Sequence, residues 1–586
     1  MKRLPLKGLA WLVALVATCL LAAACGGGSK AKSTGTSTGT STGASTTSSA
    51  SSGGAVGGKL VIDNESGSTW TCQFNPFNAS LLGPGITFGY IYEPLEFVNI
   101  LQSTKPPVPM LASSSKWSDG YKKLTFTIRS GVKWTDGTPF SAKDVLYTFN
   151  AIKTDRAADL NALWKNAGGP LTAVAAKGAN QVVFSFDAPA QTYFYYVADQ
   201  TPIVPQHIWS KLNQAKLSTY ADSSPVGTGP YKMAGCTPQN IKYLRNPNYW
   251  QSKPGHPVPR IEEIDYPAFL SNTSANLELA QGQAQWGGQY IPNVNSYYVA
   301  KDPTHRHIWF APVLNVALVP NLENPILKAL PVREAIAYAL NKNNISKLGE
   351  GGEQQPANQT GVITPTFKTW ADTAIKQPTY DPSKAMQILN SAGYKKGSNG
   401  IYQTPSGQPL QFTIKTISGY SDWDASLQII TQELKAVGIS VTVQDENSTP
   451  YTADIQSGKF QLAYAGSGGP AASPGPSPYY ELRGWLFSGN IGSTNYPRFK
   501  SAAVDALFNK YPASSPSQQV QIIHQIQQVM VKQIPFIPTT EGVDWYQYDT
   551  SHIGGWPTQA DPYAQASPYS FPDDGQVVTH LYPTSG

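Results

Sequence analysis

One stretch of the chain, residues 26–58, cannot contribute to any folded core. It is dominated by Gly, Ser and Thr, contains no aromatic residue, and has Val56 as its only large aliphatic residue. Burial of apolar side chains is the main favourable term in folding, so this stretch is expected to be a flexible linker. A Gly/Ser chain of this length spans about 30 Å on average. The folded body is therefore expected to begin near Lys59.

The segment before the linker, residues 1–25, predicts export. Lys2 and Arg3 precede an apolar stretch that is typical of a secretory signal and short for a membrane-spanning helix, which needs ~20 apolar residues. Leu21-Ala22-Ala23-Ala24 before Cys25 resembles the lipobox of bacterial lipoproteins, with the leucine one place earlier than usual. The resemblance implies cleavage before Cys25 and a diacylglycerol on its thiol. A plain secretory signal and a membrane-spanning anchor are the alternatives.

The charge of the body argues against a nucleic-acid partner. The chain has 43 basic and 37 acidic residues, and five of the basic ones precede Lys59. The body is therefore almost neutral and lacks the basic surface that nucleic acid requires. No apolar run after Ala24 is long enough to cross a membrane, so the body is expected to be soluble.

Aromatic residues and cysteines narrow the class further. The 14 Trp and 31 Tyr exceed what a core of this size needs, and both residue types suit half-hydrated binding surfaces. Cys72 and Cys236 are the cysteines of the body. In an oxidising compartment they either form one disulfide or stay free, and the sequence leaves both possibilities open.

Hydrophobic periodicity predicts strands in the first half of the body and an alternation of helices and strands in the second. Strands are predicted at residues 59–63, 124–128 and 182–186, and Ser141 with Asp144 forms a capping box that opens a helix. The later helices and strands follow in the order of this list: a helix through Val332, Ile336 and Leu340, a helix from Asp381-Pro382 to Gly393, a strand at 410–414, a helix through Leu427 to Val437, a strand at 439–443, and a helix from Ser515-Pro516. This alternation favours an α/β lobe with a partly parallel sheet.

Six sequence blocks, in order, resemble the family 5 extracellular solute-binding proteins of ABC importers. The blocks are Ile128-Arg129 with the segment Trp134 to Val145, Ser224 to Tyr231 (SPVGTGPY), Arg245 to Trp250 (RNPNYW), Pro331 to Leu340, Tyr380 to Ala385, and Ile534 to Pro538. In the second block, Gly227 and Gly229 are expected to allow backbone turns that a β-carbon would forbid. Arg333, at a helix start, is expected to pair with a carboxylate in the other lobe, and ligand contact is the alternative.

The resemblance implies an α/β, two-lobed periplasmic-binding-protein-like fold (type II, cluster C) with an α+β subdomain inserted in lobe I. Lobe I would comprise residues 59–95, 203–311 and 536–586, with the insertion at 96–202, and lobe II would comprise 312–535. A small solute binds between the lobes, and hinge closure presents it to an ABC permease and ATPase complex. The protein is expected to be a monomer without a cofactor, anchored by its lipid to the outer face of the cytoplasmic membrane.

The expected ligand is an oligopeptide, with an oligosaccharide as the alternative. Peptide-binding members carry an acid for the peptide ammonium in a lobe II loop that corresponds to residues 460–470, and here Glu481 is the only acid between Asp454 and Asp505. The same region is rich in Tyr and Trp, as sugar-binding surfaces are. The candidate ligand-binding residues are Trp70, Trp423, Tyr464, Ser467, Tyr479, Tyr480, Glu481, Arg483, Trp485 and Trp545.

Two further functions are less well supported by the residues. Nickel binding would need a cluster of ligands, but among the seven histidines only His305 and His307 are close in sequence, so no metal site is expected. A secreted glycoside hydrolase would need a pair of carboxylates at a defined spacing, and nothing in the sequence selects such a pair. The protein is therefore expected to be a carrier and not an enzyme.

Overall fold

The computed structural model describes residues 55–64, 68–78, 84–251, 258–466 and 475–584. The predicted signal, Cys25, most of the linker and Ser467 lie outside these residues. Within them, no helix combines the length and apolar character that a bilayer-crossing segment requires.

Two large sheets organise the described residues. The first has seven strands, in the spatial order Arg306–Ile308, Gln547–Asp549, Trp286–Gly287, Gly57–Asp63, Ile261–Pro267, Asn240–Arg245 and Tyr231–Cys236. The second has six strands, in the order Gln355–Pro356, Ile537–Asp544, Ala311–Pro320, Leu462–Gly466, Gln411–Ile417 and Ser440–Glu446. We call the regions built around these sheets the first lobe and the second lobe.

Smaller sheets and fifteen α-helices complete the described fold. A four-stranded antiparallel sheet, inserted in the chain between two strands of the first lobe, has the order Ala112–Ser118, Lys123–Ile128, Gln181–Phe186 and Leu171–Lys177. Two-stranded pairs form between Glu96–Phe97 and Val108–Pro109, Lys395–Lys396 and Tyr402–Gln403, and Ile553–Gly554 and Tyr582–Pro583. The helices are Ala142–Thr154, Tyr193–Ala198, Gln206–Trp209, Asn272–Gln281, Val294–Tyr297, Leu330–Ala339, Lys342–Asn344, Thr364–Phe367, Pro382–Ser391, Ser421–Ala436, Ser448–Ser457, Pro478–Leu486, Ala502–Lys510, Pro516–Gln533 and Asp573–His580.

Two short crossovers join the lobes. Strand Arg306–Ile308 of the first lobe continues into Ala311–Pro320 of the second, and Ile537–Asp544 of the second continues into Gln547–Asp549 of the first. The crossovers run side by side, since the Trp309 N–H donates to the Tyr546 carbonyl at 3.1 Å. Two adjacent connections of this kind form the natural hinge between the lobes.

The predicted elements are confirmed, with small shifts at their ends. The first strand begins at Gly57, two residues inside the predicted linker. In the capping box, the Ser141 N–H donates to Asp144 Oδ2 at 2.8 Å and Ser141 Oγ accepts from the Lys143 N–H at 3.3 Å. In the second lobe, Gln411–Ile417 pairs in parallel with both Ser440–Glu446 and Leu462–Gly466, which is the partly parallel sheet that the alternation predicted.

Gly227 and Gly229 serve close approach, and the expectation that they permit unusual turns is wrong. Neither has a positive φ. A β-carbon on Gly227 would overlap the Ile91 carbonyl, and one on Gly229 would overlap the Tyr90 carbonyl. The Gly229 N–H instead donates to the Ile91 carbonyl at 2.9 Å. The glycines therefore let this segment lie directly against residues 90–91.

Several of the family-like blocks converge on one buried carboxyl group, that of Glu93. The Tyr249 hydroxyl donates to Glu93 Oε1 at 2.6 Å and Trp250 Nε1–H donates to Oε2 at 2.9 Å. The Arg129 guanidinium lies 4.5 Å from the centre of the Trp250 ring. The Thr135 N–H, in the same block as Arg129, donates to the Gly227 carbonyl at 2.9 Å. These blocks are therefore parts of one packed unit that lies apart from the ligand cavity described below.

Arg333 is structural, but its predicted carboxylate partner is wrong. Its guanidinium donates to four backbone carbonyls, those of Leu327, Lys328, Gln533 and Ile534, at distances from 2.6 to 3.3 Å. Gln533 ends helix Pro516–Gln533, whose last carbonyls lack partners within the helix. Arg333 therefore ties this helix end to helix Leu330–Ala339 within the second lobe.

The Sγ atoms of Cys72 and Cys236 form a disulfide in the structure, with Cα atoms 5.7 Å apart. The bond fixes the segment that carries Trp70 to the edge strand Tyr231–Cys236 of the first lobe.

Candidate ligand-binding site between the lobes

A cavity of about 280 Å3 lies between the two lobes, next to the crossovers. Residues of both lobes and of the crossovers line it. Its aromatic lining consists of Trp70, Tyr266, Tyr290, Tyr420, Trp423, Trp545, Tyr569 and Phe571, and its polar lining includes Asn64, Asn272, Gln289, Gln354, Asp422 and Ser448. No Lys, Arg or His occurs among the described residues that line it. The cavity thus combines aromatic walls with amide and hydroxyl groups, which is the usual composition of a small-molecule site.

Each of the three cavity indoles is held in place by an aromatic neighbour. Trp70 Nε1–H donates to the Tyr266 carbonyl at 2.8 Å, and the two rings meet edge to face at 5.0 Å. Trp423 packs edge to face against Tyr420 at 5.2 Å and Tyr464 at 5.3 Å. These contacts fix the ring orientations before any ligand arrives, which lowers the entropic cost of binding.

Trp545 occupies a special position because it lies on one of the two crossovers. Its ring packs edge to face against Phe310, on the other crossover, at 4.9 Å, and against Tyr290 of the first lobe at 5.4 Å. Its backbone N–H donates to the hydroxyl of Tyr569, another cavity residue, at 3.2 Å. A ligand that contacts Trp545 therefore touches the hinge directly.

Asp422 is the one carboxylic acid among the described lining residues. It lies in the first turn of helix Ser421–Ala436, and Asn272 Nδ2 of the first lobe reaches its Oδ1 at 3.3 Å. Burial raises the pKa of Asp422 to about 6, while backbone N–H groups of the helix start and Asn272 partly oppose the shift. The Asn272–Asp422 contact joins the lobes across the cavity.

A second buried acid, Glu350, stands behind the polar lining. Its carboxylate accepts from Ser426 Oγ at 2.7 Å and from Gln354 Nε2 at 2.8 Å. Gln354 lines the cavity, and its Oε1 accepts from Thr540 Oγ1 at 2.7 Å. Burial, followed by the charge of Asp422, raises the pKa of Glu350 well above its ordinary range.

The structure brings three of the predicted ligand residues to the cavity, namely Trp70, Trp423 and Trp545. Tyr464 lies one layer further back: it is fully buried, supports Trp423, and its hydroxyl lies 3.1 Å from Thr539 Oγ1. Ser467 falls outside the described residues.

The remaining candidates lie on helix Pro478–Leu486 and pack inside the protein, away from this cavity. Tyr479 stacks on Tyr511 at 4.2 Å, and Trp485 stacks on Phe536 at 4.5 Å. The Tyr480 hydroxyl donates to the Thr192 carbonyl at 2.8 Å. This helix is buried on nearly all sides. Its aromatic residues therefore pack the interior of the protein, which was the alternative to ligand contact.

The two charged candidates of the same helix also have partners within the protein. Glu481 Oε1 accepts from the Asn315 N–H at 2.9 Å and from Asn315 Nδ2 at 2.7 Å. Arg483 donates to the Tyr193 hydroxyl at 3.2 Å and lies 4.4 Å from the Phe487 ring centre. Glu481 is thus engaged inside the second lobe and does not line the cavity as a substitute acid for a peptide ammonium.

The sequence analysis missed Tyr266, Tyr290, Asn272 and Asp422 as cavity residues. They come from a strand, a loop and two helix starts that are up to 156 positions apart. No local motif marks them, because their convergence depends on how the lobes face each other.

The histidine pair gives no sign of a metal site. His305 Nδ1 lies 2.8 Å from Asp302 Oδ2, and the His307 ring packs at 5.1 Å on Tyr548. Across the described ranges, no group of three or more His, Cys, Asp or Glu side chains is arranged to hold a metal ion.

Two lobes that are joined by paired crossovers and enclose a cavity define a two-lobed solute-binding protein. The chain belongs to family 5 of the bacterial extracellular solute-binding proteins, since the family model "Bacterial extracellular solute-binding proteins, family 5 Middle" matches residues 106–490. Members of this family bind small solutes outside the cytoplasm and deliver them to an ABC permease.

Individual relatives are distant but cover most of the chain. The dipeptide-binding protein of Escherichia coli is 25% identical over 78% of this chain and 86% of its own. The nickel-binding periplasmic protein of the same bacterium is 24% identical over 68% of this chain and 75% of its own.

The solved structures confirm the predicted two-lobed fold. A periplasmic oligopeptide-binding protein from Thermotoga maritima, solved with mannohexaose, superposes with a TM-score of 0.81 at 24% identity, over 90% of this chain and 99% of its own. The oligopeptide-binding protein AppA from Bacillus subtilis, solved with a nonapeptide, has a TM-score of 0.75 at 21% identity, over 91% of this chain and all of its own.

Proposed function

We propose that the protein captures a short oligosaccharide in the cavity between its lobes. The observation that carries this proposal is the lining: three indoles held by edge-to-face neighbours, surrounded by amide side chains. The flat C–H faces of sugar rings pack on aromatic faces, while their hydroxyls need directional partners such as Asn64, Asn272 and Gln289. The mannohexaose-bound Thermotoga protein supports the same class of ligand.

A peptide, which the sequence favoured, is the second candidate. The specific observation in its favour is Asp422, which offers a carboxylate for a peptide ammonium, and the dipeptide-binding relative agrees with it. The opposite end of a peptide is harder to accommodate, because the described lining has no Lys or Arg for its carboxylate. A buried carboxylate without a counter-charge is costly, so the saccharide fits the cavity better.

We infer that capture involves separation of the lobes. Trp70 of the first lobe and Trp423 of the second line the same cavity, so the site widens as the lobes move apart. Rotation about the crossovers at 309–310 and 545–546 would open the cavity and break the Asn272–Asp422 contact. We retain the lobe bounds 59–95 and 203–311 against 312–535, with the insertion at 96–202, as part of this proposal. The third first-lobe segment, 536–586, needs a later start, because strand Ile537–Asp544 pairs within the sheet of the second lobe.

The remaining features of the proposal concern location and partners. Cys25 carries the lipid that holds the protein on the outer face of the membrane, and the segment between Cys25 and strand Gly57–Asp63 acts as its tether. The protein works as a monomer, releases its ligand unchanged to the permease, and catalyses no reaction.

Calorimetric titration of the purified body with cello-, xylo- and manno-oligosaccharides beside di- to hexapeptides tests the ligand class. We expect binding from one saccharide series and a higher melting temperature in its presence. Trp545→Ala should weaken that binding at least ten-fold, since it removes a ring from the cavity.

Trp117→Ala is the matched control, because this half-buried indole lies on the four-stranded sheet, outside the cavity. It should leave the affinity unchanged. Binding of peptides with no binding of any saccharide would overturn the proposal, as would equal losses of affinity in the two variants.

A further inference from the structure

The cavity has an asymmetric distribution of charge. Its described lining contains Asp422 and no cationic side chain. Two more buried acids stand directly behind it. Glu350 is one hydrogen bond from the lining residue Gln354, and Asp544 immediately precedes Trp545.

The carboxylate of Asp544 accepts its hydrogen bonds from uncharged groups. Its carboxylate accepts from the N–H groups of Ala566 and Ser567 at 2.8 and 3.1 Å and from Ser570 Oγ at 2.9 Å. The cavity therefore faces three acids of the second lobe, and none of the hydrogen bonds that these acids accept from the described residues comes from a cationic group.

Two tyrosines of the cavity lining, Tyr290 and Tyr569, have raised pKa values. Burial, followed by the charges of Asp422, Glu350 and Glu353, raises the pKa of Tyr290 to about 12. Burial, followed by the charges of Asp544 and Asp422, also raises the pKa of Tyr569 above its ordinary range. Acids of the second lobe are therefore near enough to influence two tyrosines on different walls of the cavity, although burial is the larger cause of both shifts.

The walls themselves also favour a cation. Aromatic faces attract ammonium groups through the ring quadrupole, and the attraction grows when water is excluded. Trp423 directly follows Asp422 in the chain, and Tyr290 lies within the influence of the Asp422 charge, so aromatic rings and a carboxylate occur together. Asn272, at 3.3 Å, and the backbone N–H groups at the helix start are neutral donors to Asp422, so no cationic side chain among the described residues pairs with this buried carboxyl group.

We propose that the ligand is a cationic saccharide, an amino sugar or an oligomer of one, whose ammonium group binds at Asp422 among the aromatic rings. This inference rests on the proposed function and narrows its ligand class. The ammonium would donate to the Asp422 carboxylate and replace the missing counter-charge, while the sugar rings stack on the indoles. Acidic sugars, and peptides with a free carboxylate inside the cavity, should bind poorly, because the described lining has a carboxyl group and no cationic side chain.

Titration with three matched ligands at pH 7 tests the inference: glucosamine oligomers, N-acetylglucosamine oligomers and cello-oligosaccharides of equal length. These share the ring and differ in the group at one carbon, which is an ammonium, a neutral amide or a hydroxyl. We expect the glucosamine oligomer to bind at least ten-fold more tightly than either neutral oligomer.

The Asp422→Asn variant should lose this preference. Asp424→Asn is the matched control, since Asp424 lies two residues further along the same helix, on a groove outside the cavity. It should keep the preference, and circular dichroism melting would establish that both variants fold.

Equal or tighter binding of a neutral oligomer overturns the inference and leaves the proposed function standing. A preference that survives in Asp422→Asn also overturns it. If none of the three saccharides binds to the wild-type protein while peptides do, the proposed function fails with it. The comparison of the three ligands on the wild-type protein needs no variant, so it decides the inference even if Asp422→Asn does not fold.

Discussion

Replacement of Glu93 by Gln should flatten the dependence of stability on pH. Burial raises the pKa of Glu93 from 4.5 to about 7, despite the hydrogen bonds from Tyr249 and Trp250 that favour the carboxylate. The folded protein therefore holds this proton more tightly than the unfolded chain does. The corresponding contribution to the free energy of unfolding is fully present below pH 4.5 and is lost as the pH rises through 7.

The size of the effect follows from the shift. A difference of about 2.5 pKa units corresponds to about 3 kcal/mol, of which about 2.5 kcal/mol should be lost between pH 5 and pH 8. Glutamine binds no proton in this range, so in Glu93→Gln the loss between these two pH values should be smaller by about 2.5 kcal/mol. Other buried acids contribute equally to both proteins and cancel in the comparison.

Urea unfolding of wild type and variant at pH 5 and pH 8 measures this difference. Glu262→Gln is the matched control, since Glu262 is exposed and bonds to Arg245 at the surface, and it should retain the wild-type dependence. An identical loss of stability in wild type and Glu93→Gln would refute the assignment of a proton to this site.

Two further predictions concern the second lobe and the anchor. Arg333→Lys should lower the free energy of unfolding by about 2–3 kcal/mol, because an ammonium cannot reach the four carbonyls that the guanidinium bridges. Arg156→Lys, at an exposed position, is the control for this substitution. Equal stability of the two variants would contradict the structural role of Arg333. Cys25→Ser should move the protein from the membrane fraction to the medium and remove the diacylglycerol mass from its N-terminus, whereas a wild-type protein that carries no lipid by mass spectrometry would refute the anchor.

The sequence alone was sufficient to predict the helices and strands and to recognise the family. Helix Pro516–Gln533 and the capping box at Ser141 depend on interactions between residues that are close in the chain, so their signals are local. The family-like blocks were recognisable because each is a short continuous segment. The sequence did not show why these blocks have the residues they have. Gly227, for example, leaves room for the carbonyl of Ile91, which lies more than one hundred positions away in the chain.

The candidate site required the tertiary structure. A loop rich in Tyr and Trp is compatible with a binding surface and with a packed lobe, and the pattern of residues on helix Pro478–Leu486 does not distinguish them. In the folded protein this helix is surrounded on almost all sides, so Tyr479 and Trp485 are buried and do not reach the cavity.

Residues far apart in the chain, such as Trp70, Asp422 and Trp545, instead meet in one cavity because two crossovers bring the lobes face to face. Hydrogen bonds and periodicity within a segment act over a few residues and can be inferred from the chain. The meeting of two lobes depends on the packing of the whole molecule, and that packing decided which side chains can touch a ligand.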